Sequence, residues 1–147
     1  MKPVLVDPKW LEFARLEIGQ REKPGVGSNT RILEYFEATR YHARSDEVPW
    51  CAAFVCWCLE SSGVRSTRSA RAADFAAWGE PGWLVPGAVA VFGKADPDAG
   101  GSGHVAFCAG LDGADVLVCG GNQQNAVSIA RRPLARIVAV RWPVTGA

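Results

Sequence analysis

The chain has 147 residues, 48% of them hydrophobic and 21% charged, which are ordinary values for one globular domain covering residues 1–147. Its formal net charge of +1 argues against the dense basic surface that binds a phosphate backbone, so no nucleic-acid partner is expected. No signal-peptide pattern opens the sequence and no apolar stretch is long enough for a bilayer, so we expect synthesis in the cytoplasm and no membrane partner.

The cysteine pattern argues against both a disulfide framework and a zinc site. The chain contains five cysteines and two histidines. An odd number of cysteines without a C-x-x-C pair fits reduced thiols in a cytosol. The spacing of these residues matches no zinc site. We therefore predict no metal and no other cofactor.

Two amphipathic or capped segments predict helices at the start of the chain. The first begins at Asp7-Pro8, with Asp7 as N-cap and Pro8 at the first helical position. The second begins at the cap Ser28-Asn29-Thr30 and runs to Phe36. In the first helix we expect Trp10, Leu11, Ala14 and Ile18 on the buried face, and Glu12, Arg15 and Glu17 in water.

The longest apolar run, residues 49–60, predicts a buried helix at the centre of the domain. Pro49 suits the first turn of a helix, and Gly63 suits a left-handed cap after its end. Cys51 falls in the first turn, where unpaired backbone N–H groups and the helix dipole favour an anion. This position predicts a lowered thiol pKa for Cys51 and makes it the one cysteine placed for chemistry.

The second half of the chain predicts strands after a short helix at about residues 72–78. Apolar, β-branched runs indicate strands, and Asp112-Gly113 is a strong hairpin signal between two of them. A patternless loop covers residues 94–103. Helices followed by strands predict an α+β domain with helices on one face of an antiparallel sheet. The predicted strands are residues 88–92, 104–109, 116–119, 125–129 and 136–142.

A thiol and an imidazole are the candidate reactive groups. His42 lies in a polar loop and is interpreted as a surface residue, whereas His104 starts an apolar strand at a sheet edge. Thiol catalysis needs a third group that orients the imidazole. The amide-rich segment 120–125 follows the strand that pairs with the His104 strand, so Asn122 is the candidate. A plain turn remains the alternative for this segment.

The order of these motifs resembles the CHAP and NlpC-like amidase/peptidase superfamily, in particular small cell-wall hydrolases of phages and bacteria. The residues that carry the resemblance lie between about positions 10 and 143. They are Pro49-Trp50-Cys51-Ala52-Ala53-Phe54, Pro86-Gly87, Gly103-His104-Val105 and Gly120-Gly121-Asn122-Gln123.

The resemblance implies a papain-like α+β fold and hydrolysis of an amide bond in peptidoglycan, either in the stem peptide or in its link to the sugar. It places the nucleophile on Cys51 and the base on His104. The third catalytic position falls on Asn122, where many relatives carry a carboxylate or another histidine.

Three further residues are predicted to bind substrate. Asp46 and Trp50 flank the nucleophile, and Gln123 follows the third catalytic position. Asp46 has two possible roles, as a partner for a substrate ammonium and as the N-cap of the central helix.

Two other functions remain open from the sequence. One is a cysteine-dependent deamidase or transglutaminase acting on a protein, and the other is a non-catalytic wall-binding domain, against which Cys51 and His104 both argue. We expect a monomer whose partner is peptidoglycan, with an immunity or export protein left open as a bound partner. Without a signal peptide, the protein would reach the cell wall by release or export.

Overall fold

The structure is a computed structural model that describes residues 6–93 and 103–144. Most of the predicted loop 94–103 therefore lies outside the described residues. The α-helices are α1 (Lys9–Leu16), α2 (Thr30–Tyr35) and α3 (Cys51–Ser61), and the strands are β1 (Glu80–Pro81), β2 (Val89–Phe92), β3 (His104–Asp112), β4 (Asp115–Gly120), β5 (Ser128–Pro133) and β6 (Ile137–Trp142). Short 3-10 helices cover Phe36–Ala38, Ala72–Ala77 and Leu134–Arg136. None of the described helices is long and apolar enough to cross a bilayer.

The six strands form one sheet in the order β1-β6-β2-β3-β4-β5, and every neighbouring pair is antiparallel. Val105 and Phe107 of β3 contact the helices, whereas Ala106 and Cys108 belong to a second cluster on the opposite face. The predicted α+β class with an antiparallel sheet is therefore confirmed. The predicted hairpin is also present, because β3 and β4 pair up to Asp112 and Asp115.

The sheet is strongly curled. β5 and β6 are separated by three strands in the sheet, which would put them about 19 Å apart if the sheet were flat. Only Leu134–Arg136 connects them, and so short a segment spans at most about 14 Å. Consistent with this curl, the guanidinium carbon of Arg132 in β5 lies 5.2 Å from the centre of the Phe92 ring in β2. The inside of the curl holds the second apolar cluster.

Helix α3 forms the centre of the core, as predicted. Eight of its eleven residues are buried, because the helix is apolar on all sides and packs between the other helices and β3. Gly63 ends it with φ of 84°, as expected for a C-terminal glycine. The helix begins at Cys51 with Trp50 as N-cap, so Pro49 precedes the helix instead of occupying its first turn.

The start of α1 differs from the prediction. Pro8 is the N-cap, and Asp7 instead forms an ion pair with Arg15 at 2.8 Å. The helix ends at Leu16, so Ile18 lies beyond it and is 46% exposed. Glu17 is buried, not solvated, because its carboxylate accepts a hydrogen bond from the Tyr35 hydroxyl at 2.7 Å.

Several other helices and strands have bounds or types that differ from the predicted ones. Asn29 caps α2 as expected, since its side chain accepts a hydrogen bond from the amide of Arg31. The helix predicted at 72–78 is a 3-10 helix, and the two-residue strand β1 was not predicted. The strand predicted at 125–129 starts only at Ser128, because Gln124 and Asn125 adopt left-handed backbone conformations with φ of 55° and 62°.

Candidate active site

Cys51 is the first residue of α3 and the most exposed of the five cysteine residues. The first bond inside the helix joins the Phe54 amide to the Trp50 carbonyl at 3.0 Å, so the amides of Cys51, Ala52 and Ala53 precede it. Cys51 is 6% exposed, whereas the other four cysteines are fully buried. All five cysteines have free thiols.

Burial raises the pKa of Cys51 above its ordinary value. Hydrogen bonds from the backbone amides of Val105, Ala52 and Cys51 itself act in the opposite direction, as does the charge of Arg132, but desolvation is the larger effect. The predicted lowering of the Cys51 pKa is therefore wrong for the protein without substrate. The start of α3 is covered by other parts of the protein and is removed from water. The bond from Val105 also places the thiol beside the start of β3, next to His104.

His104 is buried and its ring is held by Gln123. The Nε2 atom of His104 lies 2.9 Å from Oε1 of Gln123. The Gln123 amide nitrogen donates to the Ser128 carbonyl at 2.8 Å and to the Val118 carbonyl at 3.4 Å, which fixes the orientation of the amide. Oε1 therefore accepts a hydrogen bond from Nε2–H. In the neutral imidazole Nδ1 is then the basic nitrogen.

The residue that orients the imidazole is Gln123, not the predicted Asn122. Asn122 has φ of 56° and makes the turn at the end of β4. The following amide, that of Gln123, donates to the Ala126 carbonyl at 2.9 Å, so the segment folds back on itself. Gln123 thus holds the imidazole ring of His104, and the substrate contact predicted for Gln123 stays a prediction.

Two glycines allow this approach. A Cβ atom on Gly120 would lie 2.7 Å from Cβ of Ala106 and 3.0 Å from Oε1 of Gln123. On Gly121 it would lie 2.7 Å from Cζ3 of Trp50. Their absent side chains let the end of β4 touch both α3 and the His104–Gln123 pair. The Gly120-Gly121 pair is the signal in the sequence that could have indicated this close packing.

Asp46 organises a loop, and the structure does not place it for binding an ammonium. It is almost fully buried, and its Oδ2 atom accepts hydrogen bonds from the amides of Lys23 and Asn29 at 2.8 Å each. Its own amide donates to the hydroxyl of Ser28 at 3.3 Å. Trp50 occupies the N-cap position of α3, so the alternative capping role predicted for Asp46 is also wrong.

Trp50 is a core residue, so the predicted contact of its ring with substrate is wrong. It is fully buried, stacks against Tyr35 with ring centres 5.8 Å apart, and donates from Nε1 to Glu22 at 3.0 Å. Burial raises the pKa of Glu22, and this hydrogen bond partly opposes the shift.

The family model of the CHAP domain matches residues 43–122, which include Cys51 and His104. This chain belongs to the CHAP domain family. CHAP domains are generally cysteine- and histidine-dependent amidases or peptidases, and they act on peptidoglycan. No curated protein matches the chain. The resemblance inferred from the motifs is confirmed at the level of this family, and Gln123 lies just outside the matched span.

The groups of this CHAP domain suit thiol chemistry. Cys51 supplies a thiol, His104 supplies an imidazole of defined tautomer, and the first turn of α3 supplies amides that can stabilise an anion. In residues 6–93 and 103–144, no group of three or more His, Cys, Asp or Glu residues could hold a metal ion. The expected absence of a metal stays a prediction.

Proposed function

We propose that this CHAP domain is a peptidoglycan hydrolase that cleaves an amide bond of the stem peptide or of its link to the sugar, by a Cys-His thiol mechanism. One observation carries the proposal. The buried bond between His104 and Gln123 orients an imidazole next to the residue, Val105, whose amide contacts the Cys51 thiol. A purely structural histidine has no need of a thiol at this position.

In the proposed reaction, Nδ1 of His104 takes the proton from Cys51 as the sulfur attacks the carbonyl carbon of the substrate. The resulting oxyanion is stabilised by the amides at the start of α3. The imidazolium then protonates the leaving amine, and a thioester remains on Cys51. His104 next activates a water molecule, which releases the acid and restores the thiol.

The neutral amide of Gln123 and the burial of Cys51 bear on the timing of proton transfer. Gln123 orients the ring but adds no charge to stabilise an imidazolium. Burial raises the pKa of Cys51 and so disfavours ionisation of the thiol before substrate binds. This direction favours proton transfer to His104 as the sulfur attacks.

The same proposal covers location and partners. The protein would be made in the cytoplasm and act on the wall outside it after release or export. It would act as a monomer, with an immunity or export protein as the remaining open partner. Which amide bond it cleaves is decided by the experiment.

The test is incubation with purified sacculi, followed by mass analysis of the released fragments. The wild type should release fragments that identify the bond, and Cys51→Ala and His104→Ala should each lose at least about 10²-fold in rate. Cys58→Ala, in the same helix, is the matched control and should retain activity. Intact sacculi after incubation with folded wild type would refute the proposal. Conversion of a protein glutamine to glutamate instead would favour the deamidase alternative.

Chelation tests the expected absence of a metal. EDTA should leave the rate of fragment release unchanged, whereas a thiol alkylator should abolish it. Loss of activity with EDTA, restored by zinc or calcium, would contradict a metal-free mechanism.

A further inference from the structure

The segment 67–72 runs from the side of α3 towards the start of β3, and it carries an arginine that the proposed mechanism does not use. The thiol of Cys56 donates to the Ser69 carbonyl at 3.5 Å, which holds the segment against α3. Ala72 is only 5% exposed and belongs to the same core cluster as Cys51. The segment therefore enters the core on the side of the molecule that carries the reactive pair.

Ala72 places Arg71 close to the proposed base. A Cβ atom on Gly103 would lie 3.9 Å from Cβ of Ala72. Gly103 directly precedes His104, and Arg71 directly precedes Ala72. Because consecutive Cα atoms are about 3.8 Å apart, the Cα atoms of Arg71 and His104 lie within about 15 Å of each other. About five residues of an extended peptide cover that distance, so a bound substrate peptide can reach from the reactive pair to Arg71.

The guanidinium of Arg71 is available to a ligand. Arg71 is exposed, and its side chain makes no ion pair or hydrogen bond in the part of the chain that the structure describes. Its amide donates to the Ser69 hydroxyl at 3.0 Å, and its carbonyl accepts from the Asp74 amide at 3.2 Å. The carboxylate of Asp74 accepts a hydrogen bond from the Ser69 hydroxyl at 2.5 Å instead of pairing with Arg71. Arg71 thus presents its charge from a backbone that is held in place.

We propose that Arg71 determines specificity by pairing with a free carboxylate of the peptide substrate. This inference rests on the proposed function. Stem peptides of peptidoglycan carry free carboxylates, so their charge complements that of Arg71. The planar guanidinium matches a carboxylate in a bidentate geometry. The pair holds the substrate peptide while Cys51 and His104 act on the amide bond.

The test compares native sacculi with sacculi whose carboxylates have been converted to primary amides. Wild type should cleave the amidated material about 3- to 10-fold more slowly, because a charge-assisted bond to an exposed arginine is lost. Arg71→Gln should cleave both materials at similar, low rates. Arg71→Lys should show an intermediate preference for native sacculi, since it keeps the charge without the fork.

Arg65→Gln is the matched control. Arg65 is also exposed and also makes no side-chain ion pair within the described ranges 6–93 and 103–144. It lies near the other end of α3, because the amide of the preceding Val64 donates to the Leu59 carbonyl at 2.9 Å. Arg65→Gln removes the same charge far from the reactive pair and should keep the full preference of the wild type.

Circular dichroism checks that each variant is folded, and Arg71→Lys carries the comparison if Arg71→Gln is unfolded. An undiminished preference in either folded variant would overturn the inference. An equal loss of preference in Arg65→Gln would also overturn it, because general attraction between a basic surface and an acidic wall would then explain the effect. Equal rates of wild type on both materials would overturn it and leave the proposed function standing. No cleavage of either material would overturn both.

Discussion

Two opposed effects act on the pKa of a thiol at the start of a buried helix. The amides around Cys51 favour the thiolate, but removal of the sulfur from water favours the neutral thiol, and burial dominates. In the proposed reaction, activation of the Cys51 thiol therefore depends more on His104 than on the start of α3.

Alkylation should report this balance directly. With a sub-stoichiometric dose of iodoacetamide, Cys51 should be labelled before the other four cysteines, because it alone is not fully buried. Its labelling rate should rise with pH between about 7 and 9, because the raised pKa leaves little thiolate at neutral pH. Peptide mapping by mass spectrometry gives the site and the rate.

Labelling led by another cysteine would contradict the assignment of the nucleophile. A rate that is high and constant from about pH 6 to 8 would show instead that a thiolate–imidazolium pair exists before substrate binds, well below the ordinary thiol pKa.

The positioning role of Gln123 predicts an intermediate loss of activity. Gln123→Ala should lower the rate of sacculus cleavage by about 10- to 100-fold, less than loss of the base itself, because only the orientation of His104 is lost. Asn122→Gly is the matched control, since glycine accepts the positive φ at this position, and it should keep nearly full activity.

If Asn122 orients the imidazole of His104 instead, the order of the two cleavage rates should be reversed. In that case Asn122→Gly would be the slower enzyme, and Gln123→Ala would retain its rate while folded by circular dichroism.

At the scale of elements, the site depends on how closely β4 approaches α3. Gly121 lies against Trp50 and Phe54, two large side chains of the core. Only a residue without a side chain fits between the end of the strand and the start of the helix. The contact thereby couples the position of Gln123 to the position of Cys51.

Gly121→Ala should lower the free energy of unfolding by about 1–3 kcal/mol through overpacking, since its Cβ atom would lie 2.7 Å from Trp50 and 2.8 Å from Phe54. Gly110→Ala, in β3, is the matched control, because the nearest atom to its Cβ is 3.9 Å away. Gly110→Ala should change the free energy of unfolding by no more than about 0.5 kcal/mol. Urea unfolding followed by circular dichroism measures both, and equal effects would argue against the close contact.

At the scale of the whole molecule, the buried thiols link stability to alkaline pH. Burial raises the pKa of every cysteine, for Cys119 to about 11. Burial, together with the nearby carboxylate of Glu17, also raises the pKa of Tyr35. A raised pKa in the folded state means that the unfolded chain loses its proton first, so stability is complete below the unfolded pKa and falls above it.

We therefore expect the free energy of unfolding to be constant from about pH 7 to 8 and to fall above the ordinary thiol pKa of about 8.5, by up to about 1.4 kcal/mol per pH unit for each thiol. Urea titrations at increasing pH measure this slope. Cys119→Ala removes one ionising group and should make the slope shallower between about pH 9 and 11. A stability that rises with alkaline pH would contradict the burial of the thiols.

Local patterns in the sequence determined the elements on which the site is built. The apolar run after Trp50 specifies a buried helix with Cys51 in its first turn, since the run is longer than an ordinary buried strand. The Asp112-Gly113 turn and the apolar run after His104 specify the hairpin, because both signals act within a few residues.

Only the tertiary structure decided which side chains meet at the site. Neighbours such as Asn122 and Gln123 are equally plausible partners for an imidazole until the left-handed turn at Asn122 is known. The burial of Trp50 and the raised pKa of Cys51 both depend on contacts between residues far apart in the chain. Desolvation and the curl of the sheet are properties of the packed molecule, and no local pattern encodes them.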